Sequence, residues 1–150
     1  ALERWLVGMN ESRFFGMALF DLHAHSSAPP YSFGGVDGLS VAGLFNAVLE
    51  KYTGIKEIPD TNFCASWYHP IIGYDAGYYS YRWSDVYAAD VFEAMLGSEG
   101  GLLSPVTGTK LRDAILGPCA SVPGGQMLRT FLGREPNADA WCKRNGCPKT

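Results

Sequence analysis

Charge of either sign is scarce in this 150-residue chain: 12 Lys and Arg stand against 15 Asp and Glu, a net of −3. That balance offers no basic surface, which excludes nucleic acid and anionic membranes as electrostatic partners. No apolar run approaches the roughly 18 residues of a membrane-crossing helix, so no transmembrane segment is expected. The opening ALERWLVGMNESRFFG has no basic region followed by a continuous apolar stretch, and so does not read as a secretory signal. It also lacks an initiator methionine, and the chain is expected to begin mid-gene, after processing, or at a cut. Cysteine is limited to Cys64, Cys119, Cys142 and Cys147, with no CxxC pair, and histidine to His23, His25 and His69. Zinc-finger spacing is therefore absent. Four reduced thiols of an intracellular protein are the expectation, with Cys142 and Cys147 able to bridge if oxidised. The glycine-rich SFGGVDG and GSEGG stretches are not GxxxxGK[ST] and follow no strand, which excludes a phosphate loop, and TGTK at 107–110 reads as a turn.

What is present is an apolar content of 47%, ordinary for one soluble globular domain of roughly this length. Residues 12–25, SRFFGMALFDLHAH, are dense enough in Phe, Met and Leu for a buried helix. SSAPPYSFGG breaks it. LSVAGLFNAVLEKYTG repeats apolar residues at helical spacing, with Ser40 as cap and Gly54 as stop. A further helix is predicted from Asp75, as cap, to Met95, with Gly73 giving a tight entry. Short helices follow at 109–116, ended by Gly117-Pro118, and at 125–132, ended by Gly133. A last one runs through NADAWCKRNG, with Pro136 in its first turn, Lys143-Arg144 near its end and Gly146 as stop. No run alternates with period two long enough to demand a sheet. The fold class is mainly α, residues 1–150 forming one helical domain.

The unusual stretch is HPIIGYDAGYYSYRWSDVYAADVF, from His69 to Phe92. Tyr74, Tyr78 and Tyr81 are spaced i, i+4, i+7 and share one face of a helix starting near Tyr74. Such a stripe is consistent with plain burial, hydroxyls reaching water or backbone. Yet His69 precedes Pro70 and a glycine turn, in a loop close to where this face begins. A phenol, with an ordinary pKa near 10, remains a donor at neutral pH and suits a developing oxyanion or a peptide backbone. The group holds no nucleophile, base or metal, so it cannot begin a reaction alone. The other histidine candidate, His23-Ala24-His25, diverges by about 200° on a helix, and Asp21 is the only further ligand nearby; a pair fraying from a helix end is the preferred account.

This block resembles the carboxy-terminal signature of the thimet oligopeptidase and oligopeptidase A family of zinc metallopeptidases, in which a histidine shortly precedes GYDAxYYxYxWS. RFFGMALFDLHAH, NFCASWYHP, GLLSPVTGTKLRDAILGP and MLRTFLGREPNADAWCKRNG are similar to its neighbouring segments, so the likeness covers most of the chain. The resemblance implies the C-terminal helical lobe of a two-lobed, zincin-type oligopeptidase that splits short peptides with a zinc-activated water. In the complete enzyme an HExxH helix and a further glutamate would hold the zinc, which brings the water's pKa toward neutrality. Carried onto this chain, the resemblance implies that Tyr81 donates to the tetrahedral oxyanion. His69 and Tyr74 assist or hold the substrate backbone, Tyr78 lines the adjacent subsite, and Gly73 lets the loop hinge.

The chain departs from that family in ways that matter. It contains no HExxH, since none of its three histidines is followed by Glu. Metal ligands and general base would lie elsewhere, and this chain would bind no zinc and be inactive by itself. Ile72 stands where the family has a glycine, Cys119-Ala120 where it has a glycine pair, and residues 26–35 look expanded. The expected partner is the N-terminal, catalytic portion of the same enzyme, covalent or separate, with a short peptide as substrate. The rival expectation is a non-catalytic family remnant serving as a structural subunit of a larger assembly. Family members occupy cytosol and organelles (mitochondrion or plastid), so the resemblance implies an intracellular place without choosing between them.

Overall fold

The computed structural model describes residues 6–58 and 61–147. They are mainly helical, in the order α1 (Val7–Ser26), β1 (Tyr31–Phe33), β2 (Val36–Leu39), α2 (Val41–Thr53), α3 (Ser80–Leu96), α4 (Pro105–Leu111), α5 (Gly124–Leu132) and α6 (Asp139–Asn145). The chain divides into two compact units, Ala1–Tyr81 and Arg82–Thr150.

In the first unit α1 pairs with α2. Gly16 of α1 makes the approach close, because a Cβ there would sit 3.5 Å from the Leu49 side chain. Around this contact Met17, Phe20, Tyr31, Leu44, Phe45, Val48, Leu49 and Trp67 form the core. Phe20 meets Phe45 edge-on at 5.0 Å, an arrangement that aligns the positive ring edge with the negative face. The limits of α2 follow from its caps. The Ser40 hydroxyl accepts from the Gly43 N–H at 3.1 Å, and Gly54, at φ 70°, donates its N–H to the Glu50 carbonyl. A left-handed residue there closes the last turn at little cost only when it lacks a Cβ.

A strand pair interrupts the expected break at 26–35. β1 and β2 are antiparallel, with Phe33 opposite Val36 across Gly34-Gly35, at φ 62° and 84°. Two successive left-handed residues give the hairpin turn whose twist matches the strands. Three and four residues are too few to register as alternation, so the glycine pair was the legible part.

In the second unit the short α4 passes directly into a π-helical turn, Arg112–Leu116, where one continuous helix over 109–116 was expected. α5 ends as anticipated on Gly133 at φ 72°. α6 begins at Asp139, so Pro136 lies outside its first turn, and the Asn137 side chain accepts the Asp139 N–H at 3.0 Å. The buried Asp90 carboxylate of α3 receives both Arg134 nitrogens, at 2.9 and 2.5 Å, and the Asn137 N–H at 2.9 Å. These bonds fasten the segment between α5 and α6, and hold the Asp90 carboxyl below the ordinary carboxylate range, the Arg134 bond being the main cause.

Candidate active site

Everything at the candidate site belongs to the first unit. His69 opens a 3-10 turn, His69–Ile71, that follows Trp67 and Tyr68. Its carbonyl accepts the N–H groups of Ile72, at 3.4 Å, and Tyr74, at 3.3 Å, so the loop folds back on its own histidine. Gly73 makes the reversal at φ 97°, where an L side chain is rarely tolerated although space around it is open.

The tyrosines do not occupy a helix from Asp75. α3 starts at Ser80, and residues 74–79 form consecutive turns in which Gly77 donates to the Tyr74 carbonyl at 2.9 Å and Ser80 to the Gly77 carbonyl at 3.0 Å. The interruption is at Ala76, an L-residue in the left-handed region at φ 53°, a conformation costing about 1–2 kcal/mol. Asp75 therefore caps no helix. The segment is held from α1 instead, where the buried Asp21 carboxylate accepts the N–H groups of Ala76 and Tyr78, each at 3.0 Å.

Despite the lost helical register the predicted rings come together. Tyr74 and Tyr81 stack with centroids 5.2 Å apart, and Tyr78 lies 5.5 Å from Tyr81. The imidazole of His69 is 5.9 Å from Tyr74, 5.3 Å from Tyr78 and 6.2 Å from Tyr81. Tyr68 stacks on it at 4.7 Å, and Trp67 stands 6.0 Å away. The group is neither scattered nor sealed, because Tyr74 and Tyr81 are 37% and 39% exposed. Tyr78 is the inward member, its ring stacked on Phe14 at 4.9 Å and edge-on to Trp67 at 4.8 Å. His69 Nδ1 is buried without a hydrogen-bond partner among the described residues, as is Trp67 Nε1.

The electrostatics favour neutral phenol. The Tyr81 hydroxyl hydrogen-bonds to Tyr74, and this bond first, partial desolvation and the neighbouring phenols next, push its pKa up to about 12. Chemically the arrangement offers aimed O–H donors and an imidazole, but no nucleophile. Among the described residues no three His, Cys, Asp or Glu side chains converge as a ligand set, so they do not fit a zinc site. The His23-His25 pair is used otherwise. Both lie inside the last turn of α1, with no fraying; His25 Nδ1 sits 2.8 Å from the Asp21 carbonyl and 3.0 Å from its carboxylate, and His23 meets Phe33 edge-on at 5.7 Å.

Sequence reasoning missed Asp21, Trp67 and Tyr68 as members of this neighbourhood. For Asp21 a signal existed: a carboxylate amid MALFDL, on a stretch otherwise apolar, must find partners if buried. Nothing in the order of residues told that those partners were backbone amides 55 and 57 positions away.

The sequence pattern of Peptidase family M3 matches residues 2–147. A thimet-like oligopeptidase of Dictyostelium discoideum is 31% identical over 87% of this chain, which covers 18% of that protein. The organellar oligopeptidase A of Arabidopsis thaliana, chloroplastic/mitochondrial, is 30% identical over 97% of the chain and 18% of its own length. Oligopeptidase A of Escherichia coli is 42% identical over 49% of the chain and 11% of its own length. The chain thus spans less than a fifth of these relatives. Since the pattern runs through nearly every residue, the aromatic turn included, the chain belongs to Peptidase family M3.

Proposed function

We propose that this chain is the C-terminal part of a zinc oligopeptidase that hydrolyses short peptides, and that it supplies the oxyanion-stabilising and substrate-holding groups. The supporting observation is the exposed pair of hydrogen-bonded phenols, Tyr74 and Tyr81, beside His69, with Tyr81 held protonated by a pKa pushed up to about 12. In the resting site Tyr81 and Tyr74 share a hydrogen bond. When the scissile carbonyl becomes tetrahedral its oxygen, bearing full negative charge, is the better acceptor, and the Tyr81 proton turns to it. Tyr74 and His69 hold the peptide backbone, and His69 Nδ1 has hydrogen-bonding capacity to spare. Tyr78, braced by Phe14 and Trp67, forms the wall of the adjacent subsite. Gly73 is the hinge at which the loop carrying Ile72 moves over substrate.

The zinc-activated water would be supplied by the rest of the polypeptide, which is the chain's partner. By itself the chain should hydrolyse nothing. Relatives named as cytosolic and as organellar enzymes support an intracellular place, in cytoplasm or organelle. The test is Tyr81→Phe in the longer polypeptide. Loss of one oxyanion donor is expected to lower kcat by about 10²-fold, with KM nearly unchanged. Full kcat in that variant would remove the catalytic role of Tyr81 and favour a structural contribution.

A further inference from the structure

We propose that Asp21 is a positioning residue for the aromatic turn: its buried carboxylate clamps Ala76 and Tyr78 and so sets where Tyr74 and Tyr81 stand. The inference rests on the reading of that turn as peptide-facing. The side chain is completely buried, and it accepts bonds from backbone amides 55 and 57 positions further along the chain. Oδ1 takes the Ala76 N–H and lies 3.0 Å from His25 Nδ1, while Oδ2 takes the Tyr78 N–H. Both amides lie within the stretch between the phenols. Tyr74 is tied to it by the bond from the Gly77 N–H, and Tyr81 by its own N–H on the Tyr78 carbonyl at 3.4 Å. Fixing residues 76 and 78 against α1 therefore fixes both ends of the Tyr74–Tyr81 pair.

The same helix supports the clamp with packing, since Phe14, two turns before Asp21, stacks on the Tyr78 ring. Left alone, the turn would relax at Ala76, whose φ of 53° is unfavourable for any residue with a Cβ. A buried carboxylate is a poor device for stability, because removing charge from water is costly and an apolar replacement often serves as well. What it provides here is two acceptors held at fixed positions on a rigid helix.

The experiment uses two variants of the 150-residue chain. Asp21→Asn keeps the shape but loses one acceptor; Asp21→Leu fills the space with an apolar isostere that should fold as well as the parent. Amide hydrogen exchange is expected to quicken at least tenfold at both Ala76 and Tyr78 in Asp21→Leu and at one of the two in Asp21→Asn, while α2 amides keep their rates. The most basic phenol in a spectrophotometric titration should fall from about 12 toward the ordinary 10. A uniform rise in exchange across the first unit, or an unmoved phenol, would overturn the proposal. Both signatures report the turn itself and not peptide turnover. Their appearance in the variants alongside full turnover in the longer polypeptide would uphold the clamp and count against the peptide-facing reading.

Discussion

Tyr81 shows how a single hydroxyl is prepared. A raised pKa means that the fold prefers the neutral phenol, and the stability attached to that preference is complete below the ordinary value near 10. It is lost as pH climbs through the folded value of about 12, so the donor is intact across the whole physiological range. Because the bond to Tyr74 is the first cause of the shift, Tyr74→Phe should return the Tyr81 titration most of the way to 10, followed by phenolate absorbance. A phenol still at 12 in that variant would mean that desolvation dominates. At this scale the sequence was informative about identity and less so about geometry. His69, Tyr74, Tyr78 and Tyr81 do gather, but not on the helix face that their spacing implied. They gather through turns and a tertiary clamp on Ala76, which i, i+4 arithmetic does not contain.

Helix ends were the most readable elements, because capping depends on a few neighbouring residues. Ser40 and Gly54 bound α2 as anticipated. Ser40→Ala should therefore lower stability by about 1 kcal/mol in denaturant titration. The start of α3 was misplaced because Asp75 has the chemistry of a cap, while the left-handed Ala76 that defeats it is invisible to propensity. Asp90 supplies the pH dependence at this scale. Its folded pKa is depressed by Arg134, so its contribution is present above the ordinary value near 4 and is lost as pH falls through the lower folded value. Asp90→Asn should flatten the acid limb of a stability-versus-pH curve and release the segment around Asn137. An unchanged acid limb would show that other carboxylates govern it.

At the scale of the whole molecule, several large apolar side chains stand exposed. Trp83 and Phe92 on α3 are 61% and 52% exposed, and Leu103 and Val106 are more so. Under the proposed function, such faces are where the longer polypeptide would pack. Mainly helical character was legible from the density and spacing of apolar residues, whereas the division into two compact units depends on long-range packing that no local pattern records. The proposed role of the Tyr81 phenol is to serve the tetrahedral state more than the bound peptide. It is tested most directly by comparing, in the longer polypeptide, the affinity of a phosphinic peptide (a tetrahedral mimic) with that of the corresponding uncleaved amide peptide. Tyr81→Phe should weaken the phosphinic peptide about 100-fold and the amide by less than about threefold. Equal losses for the two ligands, or none for either, would contradict it.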